Sequence, residues 1–269
     1  MAAQPLPLRN IRCKGSRRFR LLPLLLLAAS LELAADAAKK QIKLPPYIHK
    51  CSIKDPNLEQ CALEAGRAAL PQLVKGDPSL RLPSLDPLTI TEIHIQSGNQ
   101  LNMHCRNIVM KGLANADLVS LGIEKSYFTN VIRIPRLELS GDYSVDGRVL
   151  LLPIQGSGKA VYVFENAVVF YKQNHVLEKE RDRYYLRFRE NSVQFNCSNA
   201  HFTLENLFNG DKQLGNTLNN FLNENWRAVV DDLGQPFMEA AAQVIREFAF
   251  AIIGNVPYDE IFNDVELPE

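Results

Sequence analysis

The sequence lacks an excess of charge of either sign. Thirty Lys and Arg balance thirty Asp and Glu in 269 residues. Residues 1–37 carry six of the basic and two of the acidic side chains, which leaves the rest of the chain with 24 basic groups, 28 acidic groups and a net charge of about −4. A mildly acidic body does not provide the basic surface that nucleic-acid binding requires. We therefore exclude nucleic acid as a partner.

The short motifs of common catalytic and metal sites are also missing. Residues 156–159 are similar to a phosphate-binding loop, but Pro153 stands where its first glycine belongs and Ala160 follows Lys159. There is no G-x-S-x-G elbow for a nucleophilic serine. No cysteine or histidine pair has the C-x2-C or H-x3-H spacing of a zinc site. The sequence predicts no enzyme activity, no cofactor and no metal.

Hydrophobic runs are short, which bears on export and membrane insertion. The uncharged run at residues 21–31 has 11 residues, whereas a membrane-spanning helix needs about 20. It follows a basic stretch and precedes Ala35-Asp36-Ala37, the layout of a secretory signal peptide. We predict a signal peptide over residues 1–37, a single domain over 38–269, secretion and no stable membrane insertion. A retained anchor and a twin-arginine signal at residues 16–19 are the alternatives.

Cysteine is scarce, and export changes how the remaining cysteines are interpreted. Cys13 leaves with the signal peptide, and four cysteines remain, an even number that suits an oxidising compartment. Cys51 and Cys61 lie close together across a proline-containing turn, and we predict that they form a disulfide that fixes the N-terminal segment to a helix start. Cys105 and Cys197 lie in strand-like segments. They could form a second disulfide or remain two buried thiols.

The pattern along the chain predicts a helix, then strands, then a long helix. Residues 57–74 have helical periodicity, and residues 88–204 read as strands. Residues 159–172 alternate with apolar side chains on both faces, which indicates that both faces are covered or that one lines an apolar cavity. Turn signals at residues 97–99, 140–142 and 155–158 predict that the strand region is divided into hairpins there.

Apolar residues recur every three or four positions from residue 211 to about residue 254, which predicts a helix about 65 Å long. A compact domain of this size would measure only about 45 Å across. The sheet is therefore expected to roll along this helix, unless Gly234-Gln235-Pro236 breaks it into two pieces.

Several segments together resemble the insect takeout and juvenile-hormone-binding family. The resemblance covers residues 45–262 in order, and its longest matching segments are residues 201–215 and 218–226. Other matches are the Cys51/Cys61 pair and residues 76–80, 86–88, 143–158 and 256–258. The Cys105/Cys197 pair is not in the positions of the second disulfide of the hormone carriers, so the resemblance does not specify the ligand.

The resemblance implies an α+β, tubular lipid-binding fold in which a strongly curved antiparallel sheet wraps a long C-terminal helix around a hydrophobic tunnel. The implied function is a secreted carrier, in a haemolymph-like fluid, of a small lipophilic ligand such as a juvenile-hormone-like terpenoid or a fatty acid. The alternative is a takeout-like extracellular protein of circadian or feeding physiology that acts through a protein receptor without an essential ligand. A membrane-engaging relative that binds lipopolysaccharide is disfavoured because such proteins use cationic tips.

The tunnel wall is expected to come from both the helix and the sheet. Trp226 is expected to be ordinary core. The candidate ligand contacts are Leu218, Phe221, Leu222 and Val229 on the helix, and Tyr143, Tyr162 and Phe164 on the strands.

Overall fold

A seven-stranded antiparallel sheet and a pair of consecutive helices dominate the computed structural model, which describes residues 42–97 and 101–267. The signal peptide predicted over residues 1–37 lies outside the described residues. The strands are β1 Cys51–Ser52, β2 Leu88–Ser97, β3 Leu101–Lys111, β4 Asp117–Ile123, β5 Tyr127–Val149, β6 Leu152–Glu180, β7 Arg183–Asn196, β8 Asn199–Leu204 and β9 Phe262–Asn263. The helices are α1 Leu58–Lys75, α2 Lys212–Glu224, α3 Trp226–Ala249 and α4 Tyr258–Ile261.

The two longest strands organise the sheet. β5 has 23 residues and β6 has 29, and β5 pairs along its length with residues 152–174 of β6. One half of this hairpin carries β3 and then β2 on the β5 side and β8 on the β6 side, whereas the other half carries β4 and β7. Helix α3 contacts β2 and β7, which lie at opposite ends of the strand order. A flat sheet could not place both strands on one helix, so the sheet is strongly curved and wraps α3.

The predicted turns at residues 140–142 and 155–158 were wrong. Both stretches lie inside continuous strands, β5 and β6. Their glycines permit close backbone approach instead: a Cβ on Gly141 would lie 2.8 Å from the carbonyl oxygen of Arg106, and one on Gly158 would lie 2.6 Å from that of Glu205. The hairpin turns at residues 150 and 151, where Leu150 has a positive φ and no turn signal is present in the sequence.

The alternation of β6 changes face at Asn166, which adopts the left-handed conformation with φ 49°. Before this point Tyr162 and Phe164 face the interior, and after it Ala167, Val169 and Tyr171 do so. A simple alternation groups Tyr162 and Phe164 with Val168 and Phe170 instead, so the sequence pattern assigns the second half of the strand to the wrong face.

The long C-terminal helix breaks at Asn225 and not at residues 234–236. The backbone of Asn225 has φ −108° and ψ 26°, and its side-chain amide donates a hydrogen bond to the carbonyl oxygen of Phe221 at 2.8 Å. Such side-chain bonds compete with the helical backbone pattern. Helix α3 continues through residues 234–236, and a short π-helix, Phe250–Gly254, extends it.

The described N- and C-terminal segments are joined to each other. Cys51 and Cys61 form the predicted disulfide, which attaches β1 to α1, and β1 pairs in parallel with β9. Cys105 and Cys197 are two separate buried thiols, so the second disulfide considered above is not formed. Among the described helices, none has the length and apolar character needed to cross a membrane.

Candidate functional site

An apolar cavity of about 380 Å³ lies between the curved sheet and helix α3. Strands β2, β3, β5 and β6 supply wall residues such as Ile90, Met103, Ile132 and Val169, and α1 adds Leu70, Leu73 and Val74. The volume falls within the ordinary range of small-molecule sites. The cavity is therefore large enough for a ligand, and its wall is almost entirely hydrocarbon.

The cavity is long relative to its volume. Its wall residues on α3 extend from Val229 to Ala249, a span of about 30 Å at ~1.5 Å per residue. They recur on one face of the helix, at Leu233, Phe237, Ala241, Val244 and Phe248. The cavity therefore borders α3 over most of the length of this helix.

Aromatic side chains brace the middle of the wall. The Tyr162 ring lies 6.1 Å from the rings of both Phe202 and Phe237, so it links β6 to β8 and to α3. Phe164 packs edge-on against Phe195 at 5.2 Å. Edge-to-face aromatic pairs add stability beyond their buried area. The Tyr162–Phe237 pair joins the sheet to α3 beside the cavity, and the other pairs join neighbouring strands.

Two wall residues, Asn130 and Tyr162, carry side-chain oxygen or nitrogen atoms. The Oδ1 atom of Asn130 and the hydroxyl of Tyr162 are both buried and make no hydrogen bond within the described part of the chain. The Tyr162 hydroxyl lies near the thiol of Cys105, and burial raises the pKa of Tyr162 well above its usual value and that of Cys105 to about 11. The wall therefore offers no ionised group and almost no polar surface.

The seven ligand contacts predicted from the sequence divide between wall and core. Leu222, Val229, Tyr162 and Phe164 line the cavity, and their contact with a ligand remains a prediction. Leu218, Phe221 and Tyr143 do not line it, so the structure gives no support for these three candidates as ligand contacts. Leu218 is 4% exposed in the main core cluster, against which Phe221 packs. The Tyr143 hydroxyl donates to the carbonyl oxygen of Glu205 at 2.6 Å, which uses its polar group inside the protein.

Sequence reasoning missed the contribution of α1 to the wall. The sequence predicts a helix over residues 57–74 that is tied by the disulfide, but it does not assign the apolar stripe of Leu70, Leu73 and Val74 to the cavity wall. The wall residues of α3 belong to the apolar pattern of the predicted long helix, but periodicity alone does not separate wall from core. Trp226 packs against the main core cluster, as expected, and does not line the cavity.

No group of three or more His, Cys, Asp or Glu side chains suited to a metal ion occurs within residues 42–97 and 101–267.

A curved antiparallel sheet that closes with a long helix around an apolar cavity defines a tubular lipid-binding protein.

Comparison with known proteins gives the family. The family model for haemolymph juvenile hormone binding protein matches residues 24–263, and the chain belongs to this family. Its members bind small hydrophobic ligands, and the family is one of binding proteins rather than enzymes.

Solved and curated relatives agree with this assignment. The crystal structure of Takeout 1 from Epiphyas postvittana is similar with a TM-score of 0.70 and 30% identity, covering 80% of this chain and 99% of that chain. The circadian clock-controlled protein daywake of Drosophila melanogaster is 24% identical over 231 residues, which are 81% of this chain and 88% of the relative. The daywake protein of Drosophila yakuba is 25% identical with the same coverage.

Proposed function

We propose that this protein is a secreted carrier that sequesters one long, narrow lipophilic molecule in the cavity beside α3. The observation that supports the proposal best is the cavity itself, with its apolar wall and its span of about 30 Å along the helix. Binding is then driven mainly by transfer of apolar ligand surface out of water, at roughly 25 cal/mol per Å².

The nature of the wall ranks the ligands expected for this family. A polar group buried without a hydrogen-bond partner costs free energy, and within the wall only Asn130 and Tyr162 carry polar side-chain atoms, of which the Asn130 Oδ1 atom and the Tyr162 hydroxyl are buried. A hydrocarbon or prenyl chain meets no such cost. A fatty acid meets it only if its carboxylate is buried, and a short terpenoid with several oxygen atoms meets it at each of them.

Secretion is part of the proposal and rests on three observations. Residues 1–37 have the layout of a signal peptide, Cys51 and Cys61 form a disulfide that suits an oxidising compartment, and the family takes its name from haemolymph proteins. Expression of the full chain in insect cells should place the protein in the medium, with a new N-terminus near residue 38.

A second function is favoured by the similarity to the circadian clock-controlled daywake proteins. In this alternative the chain is an extracellular signalling protein that acts through a protein receptor, and its cavity needs no ligand. Such a protein would share the fold and family of the carrier, so only its ligand content distinguishes the two.

The experiment is mass spectrometry of an organic-solvent extract of protein purified from insect-cell medium. The carrier proposal predicts about one lipid per protein molecule, absent from an extract of a non-binding protein purified in the same way. An empty protein that also fails to take up fluorescent fatty acids or terpenoids would contradict the carrier proposal and favour the receptor alternative.

A further inference from the structure

A second, smaller depression of about 170 Å³ lies between α1 and the segment that leads into β4. Leu70, Val74 and Ala116 line both this depression and the main cavity. These three side chains therefore form the partition between the two spaces. Unlike the main cavity, the depression has charged side chains, Arg67 and Asp117, in its wall.

The guanidinium of Arg67 is held in place by the backbone of β4. Its Nε donates to the carbonyl oxygen of Leu118 at 2.7 Å, and its Nη2 donates to that of Val119 at 3.4 Å. A guanidinium has five N–H donors, so these two bonds leave further donors beside the depression. The side chain is 45% exposed, which keeps it within reach of a ligand group at the surface.

Arg67 is only weakly neutralised by the carboxylates around the depression. Asp117 lies 3.8 Å from Arg67 and 3.1 Å from Arg133, so two cations share this carboxylate. The second carboxylate, that of Asp86, accepts from the backbone N–H of Ala114 at 2.7 Å and is used there. A guanidinium with a shared carboxylate partner beside an apolar cavity suits a monoanion that carries a long apolar chain.

We propose that Arg67 binds the carboxylate of a long-chain fatty acid, whose acyl chain enters the main cavity past Leu70, Val74 and Ala116. This inference rests on the carrier function proposed above and specifies its ligand class. An ionised carboxylate is excluded from the apolar cavity by the cost of its desolvation. At Arg67 it stays near water and meets a donor pair whose planar geometry matches its two oxygens.

The test compares two ligands that differ only in their headgroup. Dissociation constants of oleate and oleyl alcohol are measured for the wild-type protein, for Arg67→Gln and for Lys75→Gln. Lys75→Gln is the matched control, because this substitution removes the same charge from the same helix at a residue that lies outside the depression. Arg67→Gln is expected to weaken oleate about fivefold, the scale of an exposed ion pair, and to leave oleyl alcohol within about twofold of wild type. Lys75→Gln is expected to change neither ligand.

Each other outcome overturns the proposal in a recognisable way. Equal weakening of both ligands by Arg67→Gln would show that the side chain acts only by holding α1 to β4. An unchanged oleate affinity, or the same loss in Lys75→Gln, would show that Arg67 makes no headgroup contact. If Arg67→Gln weakens the binding of oleoyl lysophosphatidate more than that of oleate, the site recognises a phosphate headgroup and the carboxylate proposal is wrong. If the wild-type protein binds neither oleate nor oleyl alcohol, the result instead contradicts the proposed carrier function itself.

Discussion

At the scale of single residues, two tyrosines of the sheet differ in how their buried hydroxyl groups are satisfied. Tyr143 donates a hydrogen bond to the carbonyl oxygen of Glu205, whereas the hydroxyl of Tyr162 makes none within the described residues. Burial raises the pKa of Tyr143 to about 12 and that of Tyr162 well above its usual value, so both are neutral at physiological pH. The same residue type therefore has a carbonyl oxygen as its acceptor at one position and only a nearby thiol, a weak partner, at the other.

Matched Tyr→Phe substitutions test this difference. Tyr143→Phe is expected to lower the free energy of unfolding by about 1–3 kcal/mol, because it removes a buried bond and leaves the Glu205 carbonyl unpaired. Tyr162→Phe is expected to leave it unchanged or to raise it by up to ~1 kcal/mol. Urea unfolding of both variants measures the two effects. Equal destabilisation by both would mean that the Tyr162 hydroxyl has a bonding partner.

His175 makes the stability of the protein depend on pH. It is 9% exposed, stacks on Phe128 at 6.1 Å, and its Nδ1 atom has no hydrogen-bond partner within the described residues. Burial lowers its pKa below the usual 6.5. The unfolded chain therefore binds this proton more readily than the folded one, and stability falls as pH decreases from about 6.5 through the lower, folded-state pKa.

We expect the free energy of unfolding to be lower at pH 5.5 than at pH 7.5, with part of this difference removed in His175→Phe. The phenyl ring can still pack on Phe128 but cannot take up a proton. Urea unfolding at the two pH values, for both proteins, provides the measurement. A wild-type pH dependence retained in full by His175→Phe would assign the effect to other groups.

At the scale of elements, two asparagines of α2 replace a missing strand beside β8. Asn219 accepts from the backbone N–H of Leu204 at 2.9 Å and donates to its carbonyl oxygen at 2.9 Å. One helical turn later, Asn223 bonds both backbone groups of Phe202 in the same way, at 2.7 and 2.9 Å. The carboxamides thus satisfy the outer edge of β8, which would otherwise be open to pairing with another chain.

Asn219→Asp isolates this role because it keeps the shape and the acceptor and removes the donor. The free energy of unfolding is expected to fall by about 1–3 kcal/mol, since the Leu204 carbonyl loses its partner and faces a negative charge. Asn220→Asp is the control: it adds the same charge at the next, exposed position of α2. Similar unfolding curves for the two variants would show that the carboxamide does not support β8.

The elements that the sequence predicted best are those with one long, regular pattern. The apolar repeat gave the extent of the C-terminal helices, and the strand region lies between residues 88 and 204 as expected. The break at Asn225 was not predictable because it depends on a side-chain bond to the Phe221 carbonyl, and proline and glycine nearby gave a stronger but misleading signal.

Glycines of the sheet misled the sequence reasoning for a related reason. Glycine indicates a turn only when the need for it is local, whereas Gly141 and Gly158 are needed because a distant segment crosses close to them. The division of the site into wall and core has the same origin. Tyr143 and Tyr162 lie on neighbouring strands of one sheet, but the Tyr143 hydroxyl bonds the distant Glu205 carbonyl whereas the Tyr162 ring lines the cavity.

At the scale of the whole described unit, close-packed core and open cavity exist side by side. One buried cluster contains Leu218 and Tyr143, and a second lies where Ala242 of α3 meets Val169, Tyr171 and Val193. The cavity extends along the same helix, and members of both clusters, such as Leu222 and Val169, are also part of its wall. The proposed carrier function requires this space to be available to a ligand rather than to be a packing defect.

Two neighbouring alanines of α3 test that claim most directly. Ala241 lines the cavity, whereas Ala242 is 3% exposed, lies in the core and does not line the cavity. Uptake of a fluorescent fatty acid is measured for Ala241→Phe and Ala242→Phe, together with the melting temperature of each ligand-free protein. Ala241→Phe should fill the cavity and weaken uptake about tenfold or more, with a melting temperature within about 3 °C of wild type. Ala242→Phe should overpack the core, cost ~1–3 kcal/mol and lower the melting temperature by several degrees, with uptake by the folded protein largely kept. If Ala241→Phe destabilises the protein as much as Ala242→Phe, and both lose uptake only in proportion to stability, the interior beside α3 is solid core and the protein is not a carrier of the proposed kind.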